Sequence, residues 1–189
     1  MIYKLLKVVL VRPFACFLCC LVLITACQPK AGITTIDHPM NAVNTEWNDS
    51  LHGAANLQDL AGFLYLSLKD EITPEQLSVM FPDSGDVAQI YDLTGTAKQE
   101  ANMKAIADSA RSMLSKGWKK TKHEAVELKV NWTDAEFVQL MIQDIENQKL
   151  PTKKIMLECK SGAQTLRASA RCLQIGDRWF IGEDIKFGV

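Results

Sequence analysis

The first 26 residues decide which part of this chain can fold. Lys4, Lys7 and Arg12 give a positive start with no acidic residue. Phe14 to Ile24 is almost wholly apolar, and Thr25-Ala26 closes the run with small side chains. Positive, then apolar, then small is the order of a secretory signal, which is removed before the mature protein folds. The run after Pro13 is about a dozen residues, short of the ~20 that a permanent membrane-spanning helix needs. Removing 26 of 189 residues leaves 163, from Cys27 to Val189. That suits one domain with a core of its own.

The residue after the small pair is Cys27. Ile24-Thr25-Ala26-Cys27 resembles the lipobox of bacterial lipoproteins. The resemblance implies diacylglyceryl transfer to the Cys27 thiol, cleavage between Ala26 and Cys27, and in many such bacteria acylation of the new amine. Several acyl chains anchor stably where one binds only marginally. Lipoproteins retained in the inner membrane usually carry aspartate after the cysteine. Here that residue is Gln28, so the resemblance implies an outer-membrane anchor with the domain facing the periplasm.

Processing also sorts the charges and the cysteines. Lys+Arg falls from 21 to 18 against 22 Asp+Glu, a mature charge of about −4. Without a basic excess there is no electrostatic reason to expect nucleic acid. Cys16, Cys19 and Cys20 leave with the signal, and Cys27 carries lipid. Cys159 and Cys172 remain. In an oxidising compartment two remaining thiols read as one disulfide. The alternative is a pair of free, buried cysteines acting as small apolar residues.

Along the mature chain, residues 27–56 read as a flexible tether, rich in Pro, Gly, Asn and Thr and without periodicity. The globular domain is expected over 57–189. Leu57, Leu60, Ala61, Leu64 and Leu68 mark the buried face of a first helix. Thr73-Pro74-Glu75-Gln76 is a capping box with proline at the first helical position. Asp83-Ser84-Gly85-Asp86 reads as a turn. A long helix is expected over about 97–116, with Gly117 as its left-handed cap.

From Lys122 the period changes to two. Val126, Leu128, Val130 and Trp132 predict a strand. Thr133-Asp134-Ala135-Glu136 predicts a capped helix carrying Phe137, Leu140, Met141 and Ile145 on one face. Three strands then close the chain, the last two joined by a tight turn at Gly176-Asp177. That turn sets Cys172 opposite Ile181 and Gln174 opposite Trp179. Pairing Cys159 with Cys172 needs a loop around 164–167, because a tighter turn at Gly162-Ala163 puts the two thiols out of register.

These elements predict an α+β fold, with N-terminal helices on a mainly antiparallel sheet of roughly four strands. The ending Ile175-Gly176-Asp177-Arg178-Trp179-Phe180-Ile181 looks like the closing hairpin of NTF2-like (cystatin-like) domains. That resemblance implies a curved sheet and an apolar cavity, lined by side chains such as Trp132, Trp179 and Ile181.

No catalytic constellation is visible. His38, His52 and His123 lack metal-ligand spacing to one another or to Cys or acid residues. There is no Gly-rich phosphate loop and no Gly-x-Ser-x-Gly elbow. Lys116, Lys119, Lys120 and Lys122 around Trp118 suit either an anionic partner or a helix end and solvated face. Glu183 and Asp184 near Arg171 and Lys186 suit either a pocket or an exposed sheet face. The expectation is a non-enzymatic lipoprotein that binds an envelope protein partner or supports an envelope assembly, with no metal and no cofactor beyond the lipid on Cys27. The second expectation is a small-ligand binder with an apolar cavity.

Overall fold

The computed structural model describes residues 32–37, 52–95 and 103–188. Ala26, Cys27, Gln28 and His38 lie outside them. The architecture is α+β. Among the described residues, five strands form one antiparallel meander in chain order: β1 (Ile33–Ile36), β2 (Glu136–Asp144), β3 (Thr152–Ser161), β4 (Gln164–Ile175) and β5 (Arg178–Gly188). Helices α1 (Leu57–Leu68), α2 (Pro74–Leu77), α3 (Ser84–Thr94) and α4 (Met103–Glu127) lie between β1 and β2.

The core fills the space between α1, α4 and one sheet face. Leu140 and Ile142 of β2, Ile155, Leu157 and Cys159 of β3, and Leu166, Ala168, Ala170 and Cys172 of β4 all point into it. From α1 they meet Leu57, Leu60, Ala61, Leu64 and Leu68. Leu114, Trp118 and Ala125 enter from α4, and these positions recur on one helical face. The Trp118 indole N–H donates to Ser67 Oγ at 3.2 Å, which joins α4 to α1 through a buried hydrogen bond.

The α2 cap forms as expected: Thr73 Oγ1 accepts from the Gln76 N–H, and the Gln76 side chain accepts from the Thr73 N–H. The Gly176-Asp177 turn also holds, with Cys172 opposite Ile181 and Gln174 opposite Trp179.

Four sequence expectations need correction. First, Asp83 does not begin a plain turn but caps α3. Its carboxylate accepts from the Gly85 and Asp86 N–H groups, and Asp86 reaches back to the Asp83 N–H. Second, α4 runs through Gly117 to Glu127. A Cβ at Gly117 would stand 3.1 Å from the Ile185 carbonyl oxygen, so this glycine lets the helix approach the backbone of β5. The left-handed residue that ends α4 is Lys129 (φ 57). The Val130 N–H returns to the Ala125 carbonyl, and that of Lys129 to Val126, as in a Schellman cap. The supposed strand is therefore helix and cap, with Val126 and Leu128 in solvent.

Third, residues 136–144 form β2 rather than a helix. Asn131, not Thr133, supplies the local cap, accepting from the Thr133 N–H over one short turn at Trp132–Asp134. Pairing to β3 then wins over helical periodicity. Fourth, the expected tether is part of the fold at two places. Ile33–Ile36 pairs with β2, and Ala54 exchanges both backbone hydrogen bonds with Trp179.

The disulfide is also corrected. A two-residue turn at Gly162-Ala163 sets Ser161 opposite Gln164, so Cys159 faces Leu166 and Cys172 faces Lys153. Six residues of strand separate the partners, roughly 20 Å, whereas a bridge needs Cα atoms within ~7 Å. Both cysteines are free and buried.

Candidate functional site

Alternation along β2–β4 gives the sheet two unlike faces. The inward face is the apolar core. On the outward face, register builds a row straight across the sheet: Thr35, Met141, Met156, Ser169 and Lys186. Met141, Met156 and Ser169 are half-buried, and Thr35 is exposed. A charged row flanks it on each side.

Towards the β3–β4 turn the flanking row holds Gln139, Glu158 and Arg167. Glu158 accepts from Gln139 Nε2 at 3.1 Å and from Arg167 Nε at 2.8 Å. Towards the β2–β3 loop it holds Gln143, Lys154, Arg171 and Glu183, where Arg171 donates to Glu183 at 2.9 Å. Each ion pair is at least partly exposed. Such pairs contribute about 0–1 kcal/mol to stability, so they fix side-chain directions more than they hold the fold. The outcome is a methionine-centred strip between two charged rows. Polarisable, flexible methionine adapts to varied partners.

At the end of this face near the β4–β5 turn, α3 and residues 52–54 fold over the sheet. The His52 ring lies 5.1 Å from that of Phe180, and Lys149 Nζ donates to the Thr94 carbonyl. Beside α3 is an open depression of about 290 Å³, with Ile90, Leu150 and Leu173 among its apolar walls and Arg171 and Glu183 among its polar ones. A second, of about 400 Å³, is lined by the loop from Asp144 to Lys153. Neither is lined by Trp132, Trp179 or Ile181.

Those three side chains are packed in or against the core. Ile181 is fully buried in the core. Trp132 is buried edge-on to Phe187, with ring centroids 5.9 Å apart. Trp179 packs half-buried against the core, while its backbone pairs with Ala54.

One cluster was missed in the sequence because its members come from the supposed tether and the supposed turn. His52 Nε2 lies 2.6 Å from Asp86 Oδ2 and 3.5 Å from Asp83 Oδ2. A histidine and two carboxylates are a metal-ligand set in type. Asp83 and Asp86 already form the α3 cap, and the His52 ring is hydrogen-bonded to Asp86. Burial raises the Asp83 carboxyl pKa, but the N–H groups of Asp86 and Gly85, with His52 and Arg111 nearby, outweigh it and hold the group below its ordinary value. The arrangement clasps residues 52–54 to α3.

The lysines around Trp118 are divided by the fold. Lys122 pairs with Asp70 and sits over the Trp118 ring, and Lys120 lies 3.6 Å from Glu124. Trp118 itself is buried, so this is a solvated helix face around a core residue. The two thiols are chemically quiet. Burial pushes Cys159 up to about 12 and raises Cys172 as well. A thiol held protonated is a poor nucleophile.

No described helix is long and apolar enough to cross a membrane. Compared with protein-family models, curated proteins and solved structures, the chain matches none.

Proposed function

We propose that this chain is a lipid-anchored envelope lipoprotein, held by Cys27 and facing the periplasm from the outer membrane. Its domain acts by binding a protein partner through the outward sheet face rather than by catalysis. The anchor rests on the ordered charge, apolar run and small residues before Cys27. The partner-binding half is carried by one observation, the contrast between the sheet faces. The inward face carries the buried core, and the outward one presents Met141 and Met156 between charged rows.

An apolar-ligand binder of the NTF2-like kind needs an internal space at Trp132, Trp179 and Ile181. Packing of those side chains weighs against that reading.

Photo-cross-linking in living cells tests the docking face. A photoreactive residue at Met156 should capture one discrete protein. One at Met113, 65% exposed on the outer side of α4, should capture little. Equal capture from both positions, or capture from Met113 alone, would contradict the assignment.

A further inference from the structure

We propose that the domain sits against the bilayer carrying its own anchor, with the β2–β3 loop (residues 145–151) as its membrane-facing end. The inference rests on the lipid-anchor reading of Cys27.

Chain length sets the first constraint. A tether of residues 28–56 would reach on the order of 100 Å when extended. The chain instead enters the sheet at Ile33, where β1 pairs residue for residue with β2. Between Cys27 and Gly32 there are only five residue steps, which span at most roughly 18 Å even when fully extended. An acylated Cys27 therefore keeps Gly32 within that distance of its own Cα, whatever path residues 28–31 take.

Register then decides which end of the sheet this is. Ile33 lies opposite Gln143, and the Asp144 N–H donates to the Gly32 carbonyl at 3.4 Å. Gly32 thus stands where β2 passes into the β2–β3 loop. The meander brings the β4–β5 turn to the same end, since Thr152 pairs with Leu173 and Ile175 with Arg178. The opposite end carries the β3–β4 turn at Gly162-Ala163. The 10 residues of β3 separate the two ends, about 30 Å of strand.

The loop end is compatible with a headgroup surface without depending on lipid charge. Lys149 and Lys153 are balanced by Asp144 and Glu146, and Ile145 and Leu150 are half-buried. Proximity comes from the short linker, and β1 is the element that makes the linker short. The partner-binding face then stands with its strands rising from the bilayer, rather than wandering on a long leash.

The test uses the acylated protein, purified from bacterial membranes and reconstituted into phosphatidylcholine–phosphatidylglycerol vesicles with an acceptor dye on the headgroups. A fluorescent amino acid replaces Gln148 in one variant and Ala163 in another, both exposed. Energy transfer should be severalfold stronger from position 148. Inserting a 20-residue Gly-Ser segment between Pro29 and Lys30, outside every described element, should abolish the difference. Equal transfer from both positions in vesicle-bound, acylated protein, or stronger transfer from 163, would overturn the orientation while leaving the anchor intact. Protein that carries no acyl mass and does not float with the vesicles would overturn the anchor, and the orientation with it.

Discussion

Trp118→Ala should lower the unfolding free energy by about 3–5 kcal/mol, the usual cost of truncating a buried tryptophan. The residue is 7% exposed and lies at the middle of α4, where its ring packs into the core and its N–H reaches Ser67 on α1. Truncation would open a cavity between the two long helices and remove a buried donor. Total stability of a domain this size is only about 5–15 kcal/mol, so the variant should lose a large share of it. Urea unfolding followed by far-ultraviolet circular dichroism measures the loss without relying on tryptophan emission. A change below about 1 kcal/mol would mean that Trp118 is a surface residue, available to an anionic partner after all.

Gly53→Ala should cost about 2–5 kcal/mol, for two separable reasons. Gly53 has φ +67, a region where a side chain costs roughly 1–2 kcal/mol. A Cβ there would also stand 2.7 Å from Phe180 Cζ and 3.1 Å from Arg178 Cβ. Phe180 is 1% exposed and cannot swing away freely, so overpacking adds about 1–3 kcal/mol. Gly95 separates the terms. It has φ +63 with nothing within 4 Å of a Cβ, so Gly95→Ala should show the backbone cost alone, about 1–2 kcal/mol. Equal losses at the two positions, by thermal or urea unfolding, would remove the close approach of residues 52–54 to Phe180 from the account.

The parts legible in the sequence were those whose local chemistry and tertiary partners agree. Alternation in β3 and β4, with the glycine turn at Gly176, gives the right strands and the right pairing of Cys172 with Ile181, whereas the β3–β4 turn at Gly162-Ala163 is the one that the expected disulfide speaks against. Leu57, Leu60, Leu64 and Leu68 define α1 for the same reason. The middle of the chain misleads because its local signals are ambiguous. Phe137, Leu140, Met141 and Ile145 fit a helical face, yet Leu140 and Ile142 fit a strand face equally well. Pairing with β3 on one side and β1 on the other decides between them. The end of α4 is hidden because lysine, not glycine, takes the left-handed position at 129.

The outward methionine row could not be read without β2. Met141 and Met156 become neighbours only when 136–144 is a strand in that register. His52 was likewise beyond reach, because its partners Asp83 and Asp86 are 31 and 34 positions away, in a stretch whose residues suit a turn. The short strand β1 carries no pattern of its own. Ile-Thr-Thr-Ile is four residues in a Pro- and Gly-rich stretch, and only its pairing with β2 identifies it.

The central claim is the lipid on Cys27, and mass spectrometry of the N-terminal peptide from membrane-extracted protein tests it most directly. The account predicts a peptide that begins at Cys27 and carries diacylglyceryl mass, with Cys27→Ala giving no acylated peptide and no membrane-bound protein. A peptide that retains residues before Cys27, or that begins at Cys27 without acyl mass, would contradict it.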